Sequence, residues 1–438
     1  MKKIFFSILI INALLACKES KLASEYLPKV SQAAFYHDCF EKLTAVMIHD
    51  IFTPPVASRI YSYANLAAYE AGIPADKNYK SMVGRINGLE NMPKPEAEKE
   101  YCYPLSSLKA FMVVANNLTF SVEKYVEFEK NLYAKFEAAG VPQSVIDRSM
   151  AYGEAVGNAI IAHAKTDNYA QTRGLRYSIL NKPGTWSPTP PAYADAVEPN
   201  WKTIRSIAMD SAAQFKPTPP PAYDLNKNSP FMKEVTEVYK TGNELSEEEK
   251  NTAWFWDDNA FVMNVQGHVM FANKKMTPGG HWLAITKTVC RQENADFLKT
   301  VQAYTLVSFA LRDAFISCWD EKYRSNKIRP ETIINANIDP KWVPFLQTPP
   351  FPEYTSGHST ISAASATVLT SLFGDKIAFT DSTEFKFGHG VRSFTSFKQA
   401  AEECSISRLY GGIHFRSGCE EGLEAGFKIG DNILLKVK

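Results

Sequence analysis

The sequence is missing several features that would assign it quickly. It has 7 cysteines but no C-x2-C pair, so the zinc-ribbon and finger patterns are absent, and so is a disulfide-dense small scaffold. No stretch beyond the N-terminus approaches the ~20 uninterrupted apolar residues of a membrane-spanning helix. The formal charge is only +1 over 438 residues, which gives no general reason for a nucleic acid or an anionic surface to bind. Any preference for an anion must therefore be local. Alternating Val-, Ile- and Thr-rich runs are scarce, which argues against a sheet-based fold.

What remains is ordinary globular composition, 45% hydrophobic and 22% charged, in a chain long enough for two domains or one large helical body. Apolar residues recur at helical spacing over 33–71, interrupted at Thr53-Pro54-Pro55, and again over 106–115, 121–139 and 143–164. Ser246-Glu247-Glu248-Glu249 has the form of a capping box and predicts a helix running to about Asn273. After the break at Thr277-Pro278-Gly279-Gly280, helix is expected from about His281 to Trp319. The fold class expected is all-α, built of helical bundles.

Four regions follow. Lys2 and Lys3 precede an apolar run over 4–16 that ends in Leu14-Leu15-Ala16-Cys17. This is the layout of a secretory signal, and the cysteine after Leu-Leu-Ala resembles a bacterial lipobox. Residues 1–17 then form a lipoprotein signal peptide, with Cys17 as the lipidated anchor of a protein in the bacterial cell envelope, periplasmic or surface-facing. Residues 18–181 read as an N-terminal helical region. Residues 182–224 hold two proline clusters interleaved with Trp186, Tyr193, Trp201, Phe215 and Tyr223. Proline at that density excludes helix, and the aromatics predict an ordered connector draped over the helices. Residues 225–438 form a C-terminal helical domain. The six cysteines left after Cys17 leave room for one or two bridges in an oxidising envelope.

The C-terminal domain carries three short stretches with chemistry: Lys322-x6-Arg329-Pro330, Ser356-Gly357-His358, and Ser407-Arg408-x5-His414. Lys322 is expected in the last turns of a helix, and Arg329 in the loop after it, because a residue before proline is pushed out of the α region. An arginine fork and a lysine point charge could then converge on one anion. Ser356 can cap the helix that follows, Gly357 allows close backbone approach, and free N–H groups at that helix start favour negative charge. His358 supplies an imidazole there for proton transfer. Gly411-Gly412 breaks the chain, so that Arg408 and His414 can meet a ligand from different directions. Each stretch alone is weak evidence; their order and spacing point to a bound tetrahedral oxyanion.

In that order and spacing the stretches resemble the superfamily that unites type 2 phosphatidic acid phosphatases, bacterial acid phosphatases and vanadium haloperoxidases, over residues 322–422. The resemblance implies that Lys322, Arg329 and Arg408, with Ser356 and the Gly357 amide, bind the oxygens of vanadate or phosphate. It implies that His358 is the acid–base group and His414 either the axial vanadium ligand or a phosphatase nucleophile. The expected activity is halide oxidation by peroxide on vanadate. The alternatives are a soluble phosphomonoesterase with a phosphohistidine intermediate, and a non-catalytic oxyanion-binding lipoprotein. Phe351 falls where the haloperoxidase branch carries an aromatic or histidine near the halide. Two positions depart from the pattern: Thr355 stands for a proline, and Gly418 stands where an aspartate orients the last histidine. Another carboxylate, such as Glu421, is expected to substitute for it. His49-Asp50, Asp257-Asp258, His268 and His281 offer a small metal site without diagnostic spacing, and His389 a loop imidazole beside the pocket. Nucleic acid is not an expected partner, and self-association is left open.

Overall fold

The computed structural model describes residues 23–260, 262–266, 268–272 and 274–437; the signal segment 1–17 and Cys17 lie outside them. The N-terminal half comprises α1 (Ala23–Val30), α2 (Ala33–Asp50), α3 (Pro54–Gly72), α4 (Tyr103–Leu118), α5 (Glu123–Ala139), α6 (Gln143–Ala164) and the short α7 (Tyr169–Thr172). The C-terminal half comprises α8 (Pro230–Asn243), α9 (Glu247–Phe255), hairpin β1–β2 (Met263–Gln266, Val269–Ala272), α10 (Pro278–Gln292), α11 (Phe297–Ser325) and α12 (Pro330–Asn337). It continues with α13 (Gly357–Phe373), hairpin β3–β4 (Phe379–Asp381, Arg392–Phe394), α14 (Phe397–Tyr410) and α15 (Arg416–Val437). Both hairpins are antiparallel, so the all-α expectation holds with two small additions.

Two helix boundaries differ from the sequence reading. The capping box forms at Ser246 and Glu249, but α9 stops at Phe255 instead of continuing to Asn273. Asp257, Asp258 and Asn259 follow, residues whose side chains compete with helical backbone bonds, and Asp258 turns at φ 36°. The helix expected over 281–319 is two helices. Asn294 at φ 50° breaks it, and Asp296 caps α11 by accepting from Lys299 N–H at 2.8 Å.

One apolar cluster runs from Tyr26 to Ile433 and includes residues of both halves. Helix α11 is its axis, buried for most of its length. Two consecutive residues on α11 fasten what surrounds it. Arg312 reaches Asp167, which also pairs with Arg59 of α3 (2.7 Å) and accepts from Tyr63. Asp313 accepts the backbone N–H groups of Ile207, Ala208 and Met209. The 182–224 stretch is thereby held against the helices, with Trp186 and Trp201 buried. Helices α13 and α15 lie very close; a Cβ on Gly426 would collide with the Thr360 carbonyl. That approach sets the segments before both helices beside each other.

The six described cysteines, Cys39 to Cys419, are buried and unpaired. Among the described residues, no helix is long and apolar enough to cross a membrane.

Candidate active site

The first stretch ends α11. Lys322 lies in its last turn, Asn326 reverses the chain at φ 50°, and Arg329 is the N-cap of α12 with the extended backbone its following proline demands. Both cations are fully buried. Lys322 Nζ donates to the carbonyls of Pro352 (3.0 Å), Glu353 (3.0 Å) and Thr355 (2.5 Å). Its three donors thus clamp the loop before α13, a role that the motif spacing does not reveal. Arg329 donates to the carbonyls of Phe351 (2.8 Å) and Ile413 (2.7 Å), and its Nη1 lies 3.2 Å from His414 Nε2. Its Nη2 has no hydrogen-bond partner among the described residues. Burial lowers Lys322 to about 8 and Arg329 to about 10, the response of cations that lack matching anions.

The second stretch opens α13. Ser356 caps it by accepting from Ser359 N–H at 3.2 Å, and Gly357 and His358 are its first two residues. Free N–H groups and the positive dipole end therefore face the same space as the cations.

The third stretch closes α14. Arg408, in its last turn, places Nη1 3.2 Å from His358 Nε2. Gly412 turns the chain at φ 73°, and a Cβ there would press on Pro344. This turn delivers His414 opposite Arg408.

His414 has its carboxylate, but from another place. Its Nδ1 lies 2.8 Å from Glu353 Oε1, which also accepts from the Phe415 N–H at 3.2 Å. A Cβ on Gly418 would collide with that same oxygen, so the glycine leaves room for a carboxylate supplied by the loop before α13. Glu421 is not the substitute: it accepts instead from the Thr218 N–H. Glu353 is the residue that sequence reasoning missed. The signal was a lone acid between Pro352 and the Ser356 cap, a segment that has to be buried for the cap to sit beside the cations.

This bonding assigns the His414 tautomer. Nδ1–H donates to Glu353, and the Nε2 lone pair faces Arg329 and the pocket. Burial lowers the His414 pKa well below its ordinary value, helped by Arg329, Lys322 and Arg408. His358 is likewise lowered, by burial and then by Arg408 and His281. Both rings are neutral near pH 7.

Gly357, His358, Arg408 and His414 line one cavity, with Asp257–Asn259 beside them and Trp319, Phe315 and Phe351 as its apolar side. Lys322 and Arg329 sit beneath it, each 5.0 Å from the Phe351 ring centroid. The 182–224 stretch steadies this wall, since Val197 O accepts from Trp319 Nε1 and Tyr323 Oη. The predicted residues thus converge, with Lys322, Arg329 and Arg408 as buried cations, Glu353 spent on His414, and Asp257 and Asp258 also lining the cavity. An unpartnered guanidinium nitrogen, a helix N-terminus and the His414 Nε2 lone pair, which meets Arg329 Nη1, fit a tetrahedral oxyanion.

The other candidates divide. His49 is exposed, the Asp50 carboxylate beside it is covered and accepts from Phe120 and Ser121, and His268 is exposed. His389 stacks on Trp254 (6.0 Å between centroids) instead of covering the pocket. Among the described residues, His281 and Asp258 are the candidates distant in sequence that come together.

The family model of the VCPO second helical-bundle domain matches residues 302–438. The chain is 47% identical to a solved structure described as the first bacterial vanadium-dependent iodoperoxidase, with a TM-score of 0.88, covering 93% of this chain and 97% of that one. It shares its fold with a bacterial vanadium-dependent chloroperoxidase in holo form, at 17% identity and a TM-score of 0.67, covering 89% and 93%. The apo form matches at 16% identity and a TM-score of 0.66, covering 88% and 94%. No curated protein sequence matches.

Proposed function

The chain belongs to the vanadium-dependent haloperoxidase family, and on that premise we propose that it oxidises iodide with hydrogen peroxide at a vanadate held in this cavity. The observation that carries the proposal is His414, whose Nε2 lone pair is presented to a cation-rich pocket by the Glu353 bond behind it. Iodide as the halide rests on the 47% identical iodoperoxidase.

Arg329, Arg408, the Gly357 amide and Ser356 would hold the vanadate oxygens, with His414 as the ligand to vanadium. Bound vanadate would supply Lewis-acid activation of the peroxide. Lys322 supplies positive charge at no conformational cost, since its carbonyl bonds already fix it. Glu353 keeps the His414 ring in the tautomer that offers Nε2, as an outer carboxylate does for a metal-bound histidine. His358, neutral and beside Arg408, can accept a proton from incoming peroxide and return it as the oxidised halide leaves. Trp319, Phe315 and Phe351 shape a dry, polarisable wall that suits a large, weakly hydrated halide.

Glu353 also bears on the phosphomonoesterase and the non-catalytic oxyanion binder. Without a carboxylate behind it His414 would lack a fixed tautomer, and Glu353 supplies that carboxylate in place of one at position 418. Family membership, not the carboxylate, separates peroxidase from phosphatase.

The N-terminal reading belongs to the same proposal: Cys17 would anchor the enzyme to the cell-envelope membrane, which metabolic lipid labelling of wild type and Cys17→Ser would test. The activity is tested by titrating the purified chain with vanadate while following iodide oxidation and, separately, phosphate-monoester hydrolysis. Vanadate-dependent iodide oxidation that is lost in His414→Ala is the expected result. Hydrolysis without vanadate, lost in the same variant, would overturn it.

A further inference from the structure

A second polar cluster lies beside the active site and is buried more completely. His281, in the first turns of α10, puts Nδ1 2.9 Å from one Asp258 oxygen and 3.0 Å from the other, and Nε2 2.8 Å from Asp381 Oδ2. Asp381 is itself fixed, its Oδ1 accepting from Thr383 N–H at 2.9 Å. Glu384 completes the group: one oxygen of Asp258, one nitrogen of His281 and one oxygen of Glu384 all lie within 4.8 Å of one another. All four side chains are at most 2% exposed.

Two features separate this from an ordinary histidine–carboxylate pair. Three carboxylates surround one imidazole, so even a charged ring leaves the cluster net negative, in a setting where uncompensated charge is costly. In addition, Glu384 Oε1 is buried without a hydrogen-bond partner among the described residues, a condition that buried carboxylates rarely tolerate. Lys275 does not cancel the deficit, because its ammonium pairs with Asp257 at 3.0 Å.

We infer that Asp258, His281 and Glu384 form a binding site for a divalent first-row cation, with Asp381 orienting the imidazole from behind. One imidazole nitrogen with two carboxylates suits Zn2+ or Mn2+. The ion replaces the proton between His281 Nδ1 and Asp258, and that proton goes to solvent. The remaining Nε2–H donates to Asp381, as an outer carboxylate does for a metal-bound histidine.

The site sits behind the wall of the active cavity. Asp258 lines that cavity, and Trp256 stacks on His281 with centroids 4.7 Å apart. A cation here would pin the 256–258 segment, and with it the surroundings of His358.

The test is calorimetric titration of the metal-depleted full chain with Zn2+ and with Mn2+, joined to pulsed electron paramagnetic resonance of the Mn2+ form. The expected result is one tight equivalent, an imidazole-nitrogen coupling on Mn2+, and affinity weakened about tenfold or more in Glu384→Gln. The coupling should persist in His414→Ala, which excludes the vanadate pocket as its source. If Glu384→Gln fails to fold, the wild-type coupling and its persistence in His414→Ala still decide. No uptake by wild type, uptake without imidazole coupling, or a coupling lost in His414→Ala would overturn the site.

Discussion

His414 and His281 are both buried, and each has a carboxylate within 3 Å of its Nδ1, yet their surroundings push them to opposite charge states. Around His414 stand Arg329, Lys322 and Arg408, and with burial they hold its pKa well below the ordinary value. At His281 burial also opposes the charge, but Asp258 and Asp381 outweigh it and hold the pKa well above. The nearest partner therefore does not decide the state of a buried imidazole; the sign of the remaining charges does. One surplus of charge is suited to an oxyanion and the other to a cation.

Removing each ring should separate the two regions most sharply. In His281→Ala the buried Asp258 and Asp381 carboxylates lose their counter-charge, so unfolding in denaturant should show a loss of about 3–5 kcal/mol. His414→Ala removes a neutral ring and leaves Glu353 among cations, so its cost should be nearer ~1–3 kcal/mol, although halide oxidation should be lost entirely. Equal stability losses would break the comparison. Glu353→Gln comes next: it keeps the shape but weakens the hold on the tautomer, and vanadate affinity should fall about 10–100-fold while the melting temperature changes little.

A third region calibrates the electrostatics. Burial would raise the Asp167 carboxyl, but Arg312 and Arg59 outweigh it, and its pKa is lowered on folding. Its contribution is therefore fully present above the unfolded value of about 3.9 and lost as pH falls through the lower folded value. Stability measured from about pH 6 down to about pH 2 should show an acid limb that is shallower in Asp167→Asn. The smallest effect expected is that of Ser356→Ala, about 1 kcal/mol from the lost α13 cap, read from the same unfolding curves.

Much of the site was legible because its parts are local. Ser356 before Gly357, Arg329 before Pro330 and the Gly411-Gly412 turn each have conformational consequences that a few neighbouring residues determine. Those consequences bring Arg329, Arg408, His358 and His414 together. Glu353 was not legible as the His414 partner because 61 residues separate them, and the pattern pointed to position 418 instead. Lys322 was legible as a buried cation but not as a loop clamp, since its acceptors are backbone carbonyls 30 to 33 residues away. The hairpin over 263–272 was hidden behind a sound capping box, which fixes where a helix starts but not where it ends. His281 gained meaning only when α9, α10 and β3 brought Asp258 and Asp381 to its two nitrogens.

Glu353, in place of a carboxylate at position 418, holds the His414 ring in the tautomer that would bind vanadate. The most direct measurement is vanadate affinity in Glu353→Ala and in the double variant Glu353→Ala with Gly418→Asp. The single variant should lose about 10–100-fold. The double variant should recover most of that loss, because the aspartate introduced at position 418 would enter the space Glu353 vacates. A Glu353→Ala protein that binds vanadate as tightly as wild type would contradict it.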